Sequence, residues 1–342
     1  MNGFTNNWDS YLKNTPEERN DVYFQEAYVR LYETESEKAN CFVYQDNGHT
    51  LIFPFLERNF RFGEDGFRDF ETAYGYGGPI CDTNDITFIE KALKSFKEKA
   101  IERNFVCGFI RFHPILQNWL GFDRIGSVIN DRNTIAIDLQ EGIEAAWMNE
   151  IHTKNRNVIK KGEKLGLEFI ADYDFTYLTE FKRLYDSTMD KLNAEAFYYF
   201  NDEYYKRLKE GLTNRFLAVV KYADKIVASA IIFFNGPYGH YHLAGSDASS
   251  LNLAPNNFLL WNAAKELERR GVKLFHIGGG TDGTEDNSLY QYKKKFSKSS
   301  YQFSLGKIVF NSEVYSNLCN EWEKSNPNKV EDYRNILMKY KY

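Results

Sequence analysis

A chain of 342 residues, 43% hydrophobic and 17% aromatic, with 28 Phe and 24 Tyr, can fill two cores of ordinary domain size. Its net charge of -5 argues against a protein dedicated to wrapping nucleic acid. Cys41, Cys81, Cys107 and Cys319 form no CxxC pair, which argues against a zinc site or a disulfide scaffold. The start, MNGFTNNWDSYLKN, has no basic segment followed by an apolar run, and no window approaches the ~18 apolar residues of a membrane span. A cytoplasmic enzyme is the expectation.

In chain order, residues 40–46 and 49–56 read as two strands joined at Asn47-Gly48, a dipeptide suited to the positive φ angles of a type I′ hairpin. The segment AYGYGGPICD reads as a third strand ending in a Gly-Pro turn. The stretch ITFIEKALKSFKEKAIERN places Phe88, Ile89, Ala92, Leu93, Phe96 and Ile101 on one helical face. FVCGFIRF follows as a buried strand. TIAIDL is a strand too, and a domain boundary is expected between Asp138 and Trp147. Further on, YLTEFKRLYDSTMDKL puts Leu178, Phe181, Leu184 and Tyr185 on one face of a helix. A second hairpin, residues 216–221 and 225–235, turns at Ala223-Asp224. Strand YGHYHLAGS, a helix over 257–270 and strand KLFHI come next. A hairpin, a third strand, a helix and another strand thus occur twice, which suggests a duplicated α/β unit. After Phe310 the chain reads as a helical, lysine-rich appendage.

Four segments carry a resemblance: GGPICD (77–82), TKNRNVIKKGEKLGLEF (153–169), APNNFLLWNAAKELERRGVKLFHIGGG (254–280) and LYQYKKKF (289–296). Together with the element order they resemble the Fem family, the peptidoglycan interpeptide-bridge aminoacyltransferases, within the GNAT acyltransferase superfamily. The resemblance spans about residues 20 to 310. It implies an α/β (α+β) protein of two tandem GNAT-like domains with mixed, mainly antiparallel sheets flanked by helices, duplicated about a pseudo-two-fold. The expected division is 1–145 for the first domain, 146–310 for the second, which carries the active-site motif, and 311–342 for a C-terminal helical extension. The implied reaction moves an amino acid from aminoacyl-tRNA to an amine of a nucleotide- or lipid-linked cell-wall precursor, with no cofactor. Some relatives carry a coiled-coil arm; no heptad stretch between Leu178 and Arg215 is long enough for one. Two alternatives stay open: an N-acyltransferase using acyl-CoA or a carrier protein on an amino sugar or amino acid, and a non-catalytic binding protein of the same fold.

The residues themselves refine this. In CoA-using relatives the loop before the helix is glycine-rich, so that bare N–H groups and the helix N-terminus hold pyrophosphate. Here DASSLNLAPNN has no glycine between Asp247 and the helix, and Pro255 has no N–H to offer. That favours tRNA as donor, while Asn256 or Asn257 can cap the helix. GGGTDG (278–283) is not a P-loop, since no Gly-Lys-Ser/Thr follows, and reads as a mobile loop beside the site. By the family pattern Lys293, after Tyr292, is the cation that stabilises negative charge on the reacting carbonyl oxygen; its neighbours in YKKKF read as a solvated face. Arg156 and Lys160 are four residues apart on one helical face and, with Lys154, can grip the acceptor's phosphates; an ordinary basic surface helix is the competing reading. Asp82 can position the acceptor amine or take its proton, or merely fasten a turn in CDTND. Tyr76, Tyr241 and His242 lie on strands expected to line the substrate groove, although strand alternation sends Tyr241 and His242 to opposite faces. His113 and His276, set among apolar residues, read as core. Neither has a Ser or Cys partner in sight, which argues against a hydrolase triad.

Overall fold

The computed structural model describes residues 2–342. The chain divides into two compact units. The first takes the chain up to Asp131 together with Gln302–Tyr342; the second is Arg132–Tyr301.

Unit 1 begins with β1 (Gly3–Thr5), α1 (Asp9–Leu12) and α2 (Glu26–Arg30). Then come β2 (Glu37–Asp46), β3 (His49–Phe62), β4 (Asp65–Glu71), β5 (Ile80–Cys81), α3 (Ile86–Glu102) and β6 (Phe105–Arg111). The first hairpin forms as expected: Asn47 and Gly48 have φ of 51° and 83°, and β2 pairs antiparallel with β3 from Asp46↔His49 to Glu37↔Arg58. α3 buries Phe88, Ile89, Ala92, Leu93 and Phe96; Ala100 completes that face, whereas Ile101 is exposed. The third strand differs from expectation. It is β4, paired with β3 from Leu56↔Glu71 to Phe62↔Asp65, while most of AYGYGGPICD is irregular apart from the two residues of β5. The core of this unit is aromatic, built on Phe42, Phe53, Phe55, Phe70, Phe96 and Phe105.

The chain passes into unit 2 within β7 (Ser127–Asp138) and leaves it within β13 (Ser300–Val309). Between them run α4 (Ile143–Asn149), α5 (Thr153–Lys164), β8 (Glu168–Asp172), α6 (Leu178–Lys191), α7 (Asp202–Gly211), β9 (Arg215–Tyr222) and β10 (Lys225–Asn235). β11 (Tyr238–Ser246), α8 (Pro255–Glu268), β12 (Leu274–Gly279) and α9 (Ser288–Lys293) complete the unit. Its strands lie in the order β7-β12-β11-β10-β9-β8. All neighbouring pairs are antiparallel except β11 with β12. Ala223 and Asp224 turn the second hairpin with φ of 46° and 66°. α8 packs Phe258, Leu259, Leu260, Ala263, Ala264 and Leu267 into the core against β9 and β10. This is the mixed, mainly antiparallel sheet with flanking helices that the resemblance implies.

Two boundaries move. The first unit ends within β7, earlier than residue 145, because β7 from Thr134 onward pairs with β12 of unit 2. The last segment is no appendage. The part of β13 from Leu305 to Val309 pairs antiparallel with β6, and α10 (Ser312–Ser325) buries Leu318, Cys319 and Trp322. Beyond it, the Tyr340 hydroxyl donates to Asp69 at 3.0 Å, and the Lys341 ammonium pairs with both Glu37 and Glu71. Three buried or half-buried ties to β2 and β4 make this segment part of unit 1. Among the described residues no helix is long and apolar enough to cross a membrane.

Candidate active site

The two units handle their parallel strand pair differently. In unit 1, β4 and β6 pair from Arg68↔Phe105 to Glu71↔Phe109, and the pairing continues past the strands. The Thr72 N–H donates to the Phe109 carbonyl at 3.0 Å and the Gly77 N–H to the Arg111 carbonyl at 2.7 Å. In unit 2, the parallel register runs from Tyr238↔Leu274 to His240↔His276 and, among the described residues, goes no further. β11 continues to Ser246 on β10 alone, and β12 continues to Gly279 on β7 alone. The two strands therefore part, and α9 follows where they part. A β-bulge marks the place: His242 is an extra residue on β11, between the pairs Ile231↔Leu243 and Ile232↔Tyr241.

Lys293 ends α9 and is buried, with 8% of its surface exposed. Its Nζ donates to the carbonyl oxygen of Gly279 at 2.8 Å. Burial, with the charge of Arg132 nearby, pushes its ammonium down to about 7. A lysine so placed keeps a substantial charged fraction at neutral pH without a carboxylate partner, which suits a group meant to meet negative charge that develops during a reaction. The glycines before α9 are fitted to it. Gly278 has φ of +76°, and a Cβ there would stand 3.1 Å from Lys293 Nζ. Gly278 to Gly280 are thus closely packed at the strand end, while Thr281 to Gly283 of the same run are exposed. Tyr292 packs on the core and faces Tyr241 of β11; burial holds both phenols well above their usual range, so both remain hydrogen-bond donors.

A cavity of about 640 Å³ borders α9. From the start of α5 come His152, Lys154, Asn155 and Val158; from the start of α8 come Ala254 and Asn257. α9 and the residues after it supply Gln291, Tyr292, Lys294 and Lys295. Two helix N-termini and three exposed lysines therefore border one cavity, an arrangement that suits phosphate. Amides hold these three elements together. Asn257 Nδ2 donates to Asn155 Oδ1 at 2.6 Å, Asn155 Nδ2 donates to the Lys295 carbonyl at 3.2 Å, and the His152 N–H reaches the same carbonyl at 2.9 Å. Sequence reasoning missed this set. Asn155 and Asn257 are 102 residues apart, and only the fold brings them together.

The other expected site residues divide. Lys154 lines the cavity, but Arg156 and Lys160 do not join it. Arg156 donates to the carbonyls of Trp147 and Met148, both at 2.9 Å, and to Thr153 Oγ1 at 3.1 Å. The last carbonyls of α4 lack helical partners, and Arg156 supplies them. Lys160 Nζ stands 5.8 Å over the Trp147 ring. The expected phosphate clamp is instead a helix clasp. Arg156→Ala is expected to destabilise unit 2 by about 1–2 kcal/mol in urea denaturation while leaving substrate KM values within about twofold. A tenfold rise in KM at unchanged stability would restore the clamp.

Asn256 does not cap α8. Pro255 takes the first helical position, so the helix starts with Ala254 at φ 51° as its N-cap, and Asn256 Nδ2 turns to Ser246 Oγ at 3.2 Å. His242 is held by the Tyr204 hydroxyl at 3.0 Å and the Phe233 ring, and burial with the neighbouring His240 pushes it down to about 3. It is a neutral packing residue near pH 7. In unit 1, both oxygens of Asp82 are engaged: Oδ2 accepts from the Thr50 N–H at 2.9 Å and Oδ1 lies 3.1 Å from His49 Nδ1. That is the turn-fastening reading. Tyr76 packs edge-on against Tyr23, His113 and Phe303. His113 is fully buried 2.8 Å from Asp21, as a core histidine with its partner.

Comparison with known proteins places this geometry. Residues 151–294 match the family described as Acetyltransferase (GNAT) domain. The chain is 23% identical to the UDP-N-acetylmuramoylpentapeptide-lysine N(6)-alanyltransferase of Weissella viridescens, over 74% of this chain and 80% of that one. It is similar to the crystal structure of FemX, with TM-score 0.69, 14% identity and coverage of 91% of this chain and 98% of the other. A tandem GNAT protein of clavulanic acid biosynthesis superposes with TM-score 0.51 and 9% identity, over 91% of this chain and 99% of that one. The structural likenesses show the fold, two GNAT-like halves in one chain.

Proposed function

We propose, from the premise that this chain is an acyltransferase of the tandem GNAT fold and of Fem type, that it moves an aminoacyl group from aminoacyl-tRNA to an amine of a peptidoglycan precursor. The observation that carries this reading is Lys293, a buried ammonium on the Gly279 carbonyl where the parallel strands part. The similarity to the Weissella alanyltransferase supports a cell-wall acceptor. In this reading the acceptor amine attacks the carbonyl carbon of the aminoacyl ester. A C–N bond forms, the carbonyl oxygen takes the negative charge beside Lys293, and the ester oxygen leaves with the proton released by the amine. No cofactor is needed, the phosphates of the donor lie at the cavity of Lys154, Lys294 and Lys295, and the work is done in the cytoplasm.

The match to a GNAT domain favours a second reading, transfer from acyl-CoA. Pro255 and the absence of glycine between Asp247 and α8 weigh against it, because fewer backbone N–H groups face a pyrophosphate. The test is incubation with charged tRNAs or with acyl-CoA, each against UDP-linked muropeptides and amino sugars, with product read by mass spectrometry. Aminoacyl-muropeptide formed only from charged tRNA supports the first reading. Turnover only with acyl-CoA replaces it with the second, and no product from any pair removes both.

A further inference from the structure

The side chain of Asn287 is fully used. Its Oδ1 accepts from the N–H groups of Leu289 and Tyr290, both at 3.1 Å, so it is the N-cap of α9. Its Nδ2 donates to Thr281 Oγ1 at 2.7 Å and to Asp282 Oδ2 at 2.9 Å. Asp282 is itself braced by the N–H of Thr284 at 2.8 Å. The backbone is drawn in as closely: a Cβ on Gly280 would sit 2.4 Å from Asn287 Oδ1, so only glycine fits there. Arg132 donates to the Gly280 carbonyl at 3.0 Å.

Lys293 is bound at both ends of this arrangement. It is the last of the six residues of α9, whose first turn Asn287 caps. Its Nζ bonds to the carbonyl of Gly279, one residue before the glycine that packs on Asn287. We propose that Asn287 is a positioning residue: it locks the glycine turn to the start of α9 and thereby fixes the Lys293 ammonium on the Gly279 carbonyl. A long, flexible side chain meets a developing charge best when its seat is set in advance. The inference rests on Lys293 being the cation of the transfer reaction. The charged group facing Lys293 is Arg132 of β7, which the variants below leave in place.

The test uses Asn287→Ala and Asn287→Ser in the full chain, with two readouts. The first is the pH dependence of Lys293 acetylation by acetic anhydride, followed by peptide mass spectrometry, which needs no substrate. The wild-type midpoint is expected near 7. In both variants it moves up by about one pH unit, as the freed ammonium gains water. The second is steady-state kinetics: kcat falls by about ten- to a hundredfold, and both KM values stay within about threefold. Serine keeps the helix cap but not the two amide donors, so its melting temperature stays near wild type. A serine variant with the wild-type labelling midpoint and wild-type kcat would overturn the proposal, as would losses that only track lowered melting temperature. If the wild-type protein transfers nothing, the acyltransferase reading falls, and the labelling midpoints alone still decide the lock.

Discussion

Lys293→Met is expected to lower kcat by about a hundred- to a thousandfold while raising the melting temperature. Removing one donor of an oxyanion site has about that effect on rate. The stability gain has a separate cause. The Lys293 ammonium is depressed to about 7 in the fold by burial, so the unfolded chain holds a proton there that the native chain releases. Between about 7 and the ordinary lysine value of 10.5 native stability therefore rises with pH, and below about 7 the buried charge opposes folding in full. Methionine removes that opposition, a gain on the order of 1–4 kcal/mol. The gain is largest at pH 6 and fades by pH 10, which scanning calorimetry at the two pH values measures. The rate carries the opposite signature. If the ammonium form is the active one, the active fraction falls as pH rises through about 7, so kcat/KM bends downward there. A profile that instead rises through the same pH would make Lys293 a base, and full activity of Lys293→Met would remove it from the chemistry.

Replacing Lys154, Lys294 and Lys295 together by alanine is expected to raise the donor KM by about a hundredfold and leave the acceptor KM within about twofold. All three are exposed and border the cavity at the starts of α5 and α8, so the fold should tolerate the change. With a tRNA donor the salt dependence must also weaken: each lost phosphate contact lowers the slope of log K against log salt by about 0.7. A hundredfold loss without a change in slope would indicate a few fixed phosphates, as in CoA, more than a nucleic-acid strand. A rise in acceptor KM alone would move the cavity to the other substrate.

The hairpins and the long amphipathic helices were legible because their signals are local. Asn47-Gly48 announces positive φ, two strand-like runs flank Ala223-Asp224, and the spacing of Phe88 to Phe96 announces a face. β4 was not legible. Its segment, DGFRDFE, carries three acids and one arginine among seven residues, yet its charges pair across the sheet: Arg58 with Asp69, and Arg68 with Glu57 at 3.0 Å. Side-chain partners, unlike side-chain spacing, are decided by tertiary structure. The same explains Arg156. The i, i+4 spacing with Lys160 is real, but the acceptors that claim Arg156 are carbonyls of the preceding helix, which no spacing rule foresees. Lys293 was found through the aromatic-lysine motif. Its buried seat on the Gly279 carbonyl was visible only once the strands were seen to part.

Unit 2 is one uninterrupted stretch, Arg132–Tyr301, whereas unit 1 needs residues from both sides of it. That fixes an order in time. As the ribosome releases the chain, residues up to 131 emerge without β13, the antiparallel partner of β6, without α10, and without Lys341 to neutralise Glu37 and Glu71. The later stretch has all of its own sheet by residue 301 and can close first, ahead of the unit that flanks it on both sides. Released chains truncated after residue 301, which lack the part of β13 that pairs with β6, should then resist protease across 132–301 while remaining sensitive before residue 131. The reverse pattern would show that the opening half holds itself together without its last strand.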